Sequence, residues 1–155
     1  MVVRYFILFL YFCFINVSAQ SKADHVLGKW LATDLSVAVE VYRQKGEYKA
    51  KVIWFDERQG SGKPMHARTD YANPDPKLRH RKIIGMQVLE GLVYNAEHHI
   101  WERGKIYDAS SGRLWDSSAH LTENGLLKVR GYWKFKWMGK TMTFKKTNNA
   151  HLTQL

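Results

Sequence analysis

Cysteine is almost missing from this chain. The 155 residues contain one, Cys13, which excludes an intramolecular disulfide framework. Proline is scarce as well. Its three copies, Pro64, Pro74 and Pro76, fall in one stretch, so the remainder is free to run as uninterrupted backbone ladders. Acid is in short supply, with 14 Asp and Glu against 24 Lys and Arg, for a formal net charge of +10. No apolar run reaches the roughly 20 residues of an ordinary membrane helix. No amphipathic helical period of useful length appears, and no internal repeat or low-complexity segment.

The longest apolar run is Tyr5 to Ile15, preceded by Arg4 and followed by Val17-Ser18-Ala19. A charged start, a short apolar core and small residues at the −3 and −1 positions are the pattern of a secretory signal peptide. The expectation is a signal peptide over 1–19, cleaved near Ala19, with an uncleaved anchor as the rival reading. Leu10-Tyr11-Phe12 before Cys13 lacks the small residues of a lipoprotein site. Residues 20–155 are then expected to form a single β-barrel domain, exported to the periplasm or envelope of a Gram-negative bacterium. A basic exported protein meets anionic envelope surfaces rather than nucleic acid. The plainer reading of the same lysines is a solvated face.

Period-two alternation dominates residues 28–146. Gly28 to Thr33 reads as a first strand, Val37 to Gln44 as a second and Glu47 to Asp56 as a third, with Lys45-Gly46 as the turn. Later strands are expected at Ile83 to Leu89, Ile100 to Tyr107, Arg113 to Leu121, Leu126 to Trp133 and Lys140 to Lys146. Glu90-Gly91, Asn95 to His99, Asn124-Gly125 and Met138-Gly139 read as turns. About eight sequential strands predict an all-β, antiparallel up-and-down barrel, with a two-sheet sandwich as the alternative.

One long segment, Glu57 to Lys82, interrupts the strands. Asn73-Pro74 and Asp75-Pro76 each force an extended or turn conformation. Asp75 followed by Pro76 is a helix start, an N-cap acceptor and then proline at the first helical position. One helical turn over Lys77 to Arg81 is expected, pinned to the barrel by Leu78. Its arginines read either as a cap paired with Asp70 and Asp75, or as a lid whose guanidinium groups receive a carboxylate or phosphate at the barrel mouth.

The search for catalytic chemistry is negative. Gly60-Ser61-Gly62-Lys63 lacks phosphate-loop spacing. His98-His99 are neighbours that point apart on a strand. Ser117 and Ser118 lie in no nucleophile motif. No metal, cofactor or catalytic residue is expected. The aromatics are more telling. Six tryptophans and several tyrosines suit either a ligand cavity or a filled core. Trp133, Phe135 and Trp137 alternate with Lys134 and Lys136, a basic-aromatic fringe suited to a membrane interface.

Several blocks taken together resemble a known family. They are Gly28-Lys29-Trp30, G-E-Y-K-A-K-V-I-W (46–54), N-P-D-P-K-L-R-H-R (73–81), I-I-G (83–85), G-K-I-Y-D-A-S-S-G (104–112), L-K-V-R-G-Y (127–132) and G-K-T-M-T-F-K-K (139–146). This pattern resembles the bacterial exported family called domain of unknown function 2147. The resemblance implies a lipocalin-like, calycin-like barrel and carries no established activity. Two positions depart from the pattern: Lys82 stands where a proline is usual, and Phe144-Lys145-Lys146 where W-x-R is usual. Gly28 to Trp30 is also similar to the lipocalin opening motif, which implies that Trp30 plugs one barrel end beneath a basic side chain, Arg130 or Lys146.

Two functions are carried forward. The first is a periplasmic binding protein for a small amphipathic or acidic ligand such as a lipid or acyl chain. Its candidate walls are Tyr48, Trp54, Trp101, Tyr107 and Arg130, with Arg79 and Arg81 at the mouth. Gly28, Trp30, Asn73, Pro74, Asp75 and Pro76 are structural in this reading. The second is an envelope structural or interaction protein with a filled barrel and no ligand. The sequence leaves the oligomeric state open.

Overall fold

The computed structural model describes residues 22–155. The signal-peptide reading over 1–19, with Cys13, lies outside these residues. Eight antiparallel strands close into one up-and-down barrel: β1 (Gly28–Ala32), β2 (Val37–Gln44), β3 (Glu47–Phe55), β4 (Gln87–Asn95), β5 (Ile100–Asp108), β6 (Arg113–Leu121), β7 (Leu127–Tyr132) and β8 (Gly139–Lys146). Each strand pairs with its sequence neighbours, and β1 pairs with β8 to close the ring, with Trp30 opposite Lys146. A short helix, α1 (Asn149–Thr153), follows β8 and is capped by the Asn148 side chain.

The alternating apolar positions face inward. Trp30, Val41, Tyr48, Ala50, Leu89, Leu92, Trp101, Leu127 and Phe144 form one buried cluster. Four register shifts bend the wall, one between β2 and β3, two between β3 and β4 and one between β5 and β6. Leu89 and Leu92 both face inward although three residues apart, because Glu90 and Gly91 sit where β4 slips against β3. Residues 90–91 are therefore mid-strand rather than a turn. β4 also starts later than its apolar residues suggest. Ile83 to Met86 precede it as a turn, with Met86 N–H bonded to the Ile83 carbonyl. The shift between β2 and β3 leaves Ile53 unpaired and sets Trp54 opposite Ala38. Ala38 pairs in turn with Leu31, so Trp54 lies on the face opposite Trp30 and Val39.

One end of the barrel is shut. A 3₁₀ turn, Asp24–Val26, crosses it. The Trp30 indole N–H donates to the Val26 carbonyl at 2.8 Å, and the Trp101 indole N–H to the Ala23 carbonyl at 3.2 Å. The Tyr48 hydroxyl donates to the Asp24 carboxylate at 2.7 Å. Large rings thus fill the floor while their polar atoms are satisfied by the chain that covers it. The Lys146 ammonium lies 4.5 Å from the Trp30 ring centroid and donates to the Leu27 carbonyl. Of the two cations proposed over Trp30, Lys146 holds the position.

The other end carries the 33–36, 56–86, 109–112 and 133–138 connections. Here the inward face becomes small or open, with Gly104 opposite Ser117 and Ser117 opposite Gly131. A Cβ at Gly104 would meet the Leu92 side chain at 2.6 Å, so Leu92 fills the space that this glycine leaves.

Candidate functional site at the open end

The long loop is held by a buried carboxylate. Asp70 is 0% exposed. Its oxygens accept from the Tyr107 hydroxyl at 2.7 Å, Asn73 Nδ2 at 2.7 Å and Arg81 Nη2 at 2.7 Å. Its backbone N–H donates to the Arg81 carbonyl at 2.9 Å. Burial pushes the Asp70 carboxyl up, but the bonds from Asn73, Tyr107 and Arg81, with the Arg81 charge, outweigh this and hold it below the ordinary value. Burial, and then the bond to Asp70, pushes the Tyr107 phenol up to about 12. Asn73 Oδ1 accepts from the Asp75 N–H at 2.9 Å, and Asp75 accepts from the Lys77 N–H at 3.0 Å. The 3₁₀ turn Pro76–Leu78 follows, so the Asp75 cap and proline start are formed as the sequence implies. Leu78 does not pin the turn, for it is 39% exposed. The anchor is polar instead, and it is completed by a close backbone approach. Gly112 in the 109–112 turn has φ +67°, and a Cβ there would lie 2.0 Å from the Ala72 carbonyl oxygen.

The candidate residues separate into three groups. Tyr48 and Trp101 face inward at the closed end and are packed as floor. Tyr107 alternates with the inward Ile106, so it lies on the outer face and serves the loop. Arg81 is paired with Asp70, and Arg79 Nε donates to the Asn73 carbonyl at 2.8 Å. Arg130 alternates with the inward Val129 and lies on the outer face. It donates to the carbonyls of Lys136 (2.5 Å) and Trp137 (3.2 Å) and to Thr141 Oγ1 (2.9 Å). Trp54, Tyr107 and Arg130 thus lie on the outer face rather than on the interior wall, and Arg79 and Arg81 are bonded within the loop. The loop cation over the inner rim is Arg68, whose guanidinium stacks on the Phe55 ring at 4.9 Å.

The open end has its own cleft, which residue chemistry alone did not assign. Arg113, Leu114, Trp115, Trp133 and Met138 line it. Trp115 and Trp133 meet edge to face, their centroids 6.1 Å apart. Trp115 shares the inward face with Ser117, two residues on, and Ser117 is 0% exposed with no hydrogen-bond partner for its hydroxyl among the described residues. Arg113 has no ion pair or hydrogen bond to its side chain among the described residues. The phase of β6 was the available signal, since Ala119, Ser117, Trp115 and Arg113 share one face.

A family model described as uncharacterized proteins conserved in bacteria, DUF2147, matches residues 28–146. The chain belongs to this family. A solved structure, protein HP1028 from the human pathogen Helicobacter pylori, described as belonging to the lipocalin family, is also similar. It shares 25% identity, covers 83% of this chain and 87% of its own, and gives a TM-score of 0.67. None of the curated proteins matches. The closed barrel of this DUF2147 chain, its Gly28-Lys29-Trp30 start and its plugged floor are lipocalin-like features, and a lipocalin-like barrel is compatible with a small ligand. In this DUF2147 barrel the interior rings at the floor are committed to packing.

Proposed function

We propose that this DUF2147 member is an exported binding protein that takes a small amphipathic ligand with an anionic head, such as an acyl chain, at the open end of its barrel. The carrying observation is the cleft of Arg113, Leu114, Trp115, Trp133 and Met138 above a filled floor. Two indoles, a leucine and a thioether supply apolar walls that desolvate a chain. Arg113 offers a guanidinium fork that suits a carboxylate or phosphate. The Ser117 hydroxyl, buried and unpartnered, is a polar contact for whatever penetrates past Trp115. The basic chain and its expected leader support an exported protein that meets acidic amphiphiles.

The test is a titration with dansyl-labelled undecanoic acid, following energy transfer from tryptophan. Saturable transfer is expected. Trp115→Ala should weaken it on the order of tenfold, and Arg113→Gln should weaken the acid but not the matching alcohol. Absence of saturable transfer would favour a filled barrel acting without a ligand.

A further inference from the structure

The 133–138 connection between β7 and β8 concentrates exposed apolar surface. Phe135 is 57% exposed and Trp137 76%, with Trp133, Met138 and the neighbouring Leu114 also exposed. A monomeric surface rarely displays several large rings together without using them. Phe135 and Trp137 stack face to face, centroids 6.1 Å apart and planes 9° apart, on a tip that the barrel holds firmly. The Trp133 N–H donates to the Met138 carbonyl at 3.0 Å, and the Met138 N–H to the Phe135 carbonyl at 2.9 Å. Arg130 grips the Lys136 and Trp137 carbonyls from the outer wall. The rings are therefore presented by a braced hairpin and do not collapse onto the core.

The charge around them is mostly positive. Lys134 and Lys136 flank the rings in the hairpin, Lys140 follows it on β8 and Arg113 shares the cleft with Trp133 and Met138; all four are exposed, and none forms an ion pair among the described residues. Of the acids in the neighbouring strands, Asp116 pairs with Lys105, and Asp108, opposite Arg113 in the register, accepts from Ser110 and Ser111. Asp34 senses the Lys140 charge without contacting it. Tryptophan and phenylalanine flanked by long cations match the boundary of an anionic bilayer, where rings sit at headgroup depth and ammonium groups meet phosphates.

We infer that the 133–138 hairpin is a docking element that seats Phe135 and Trp137 in the headgroup layer of an anionic bilayer. Because Trp133 and Met138 belong to both hairpin and cleft, docking would put the cleft mouth at the lipid surface. The docking claim stands without the ligand reading, and the two fail separately.

The experiment uses phosphatidylcholine vesicles with and without phosphatidylglycerol, read by flotation and by quenching of tryptophan with brominated lipids. Binding and quenching are expected with phosphatidylglycerol and should weaken as salt rises. Each of Lys134→Gln and Lys136→Gln should cost about fivefold, by the usual worth of a cation beside an anionic surface. The double variant Phe135→Ser, Trp137→Ser should abolish quenching, while circular dichroism and binding of the dansyl acid in free solution stay as in the parent. Trp115→Ala should do the reverse, weakening the dansyl acid on the order of tenfold and keeping flotation. Equal flotation of the parent and the Phe135, Trp137 double variant would overturn the inference. So would a concentration-dependent dimer, abolished by the same double variant, together with no flotation, since the patch would then join two copies of the chain.

Discussion

The Tyr107 hydroxyl donates to the Asp70 carboxylate across 2.7 Å, tying the middle of the long loop to β5. Both groups depart from their ordinary ionisation, in opposite directions, and each departure sets a window of pH. Asp70 is held below the ordinary carboxylate value, so its contribution to stability is present above about pH 4 and is lost as pH falls through the depressed value. Asp70→Asn should flatten the acid limb of a stability–pH curve. It should also lower stability near neutrality by about 1–3 kcal/mol, less than for a fully buried pair because the Arg81 side chain is 40% exposed. Urea midpoints measured across pH check both effects. An unchanged acid limb would mean that the carboxylate is not the latch.

Tyr107 moves the other way. Its phenol is pushed up to about 12, so its contribution is complete below about pH 10 and is lost as pH rises through the folded value. Ultraviolet titration of tyrosinate should show a late-ionising group that Tyr107→Phe removes. In Asp70→Asn that group should ionise earlier, because the carboxylate that opposed its charge is gone. A late group that survives Tyr107→Phe would assign the signal to another phenol.

Gly112 sets the loop's seat. An alanine there must adopt φ +67° and approach the Ala72 carbonyl, so Gly112→Ala should cost at least about 1–3 kcal/mol and lift the loop from the 109–112 turn. Trypsin should then cleave at Lys77 or Arg79 faster than in the parent. Equal cleavage would show that the Asp70 cluster alone holds the segment.

The floor and the upper interior should respond oppositely to truncation. Leu92 is 1% exposed and fills the space beside Gly104, so Leu92→Ala should cost about 2–5 kcal/mol. Ser117→Ala removes a buried hydroxyl with no partner, and should leave the free protein equally stable or more stable by up to about 1 kcal/mol. Denaturant melts of the two variants decide this. A large loss for Ser117→Ala would mean that the hydroxyl already serves the fold.

Much of the architecture was legible because alternation carries it. Val37–Gln44 and Arg113–Leu121 form over the residues where period two is cleanest. The adjacent isoleucines Ile83 and Ile84 suggest a strand, although Gly85, with φ +81°, turns the chain before β4. Glu90-Gly91 resembles a turn in sequence, and only its register against β3 shows a bulge. The same limit applied to the site. Trp54 changes face because Ile53 is unpaired, which no composition argument reveals. Tyr107 and Arg130 were placeable, since each alternates with an inward residue, Ile106 and Val129. The Asp75–Pro76 start was legible because its cap is local, whereas the Asp70–Tyr107 bond spans separate elements.

Arg130 holds the hairpin by main-chain oxygens, together with Thr141, and by none of the tip's side chains. The shape of the tip is thereby uncoupled from its composition. Side-chain changes at 135–137 leave those carbonyls available, so the barrel can offer a different chemical face at this corner without rebuilding the turn. The tip can be exchanged like a tool in a chuck, and Arg130 is the jaw.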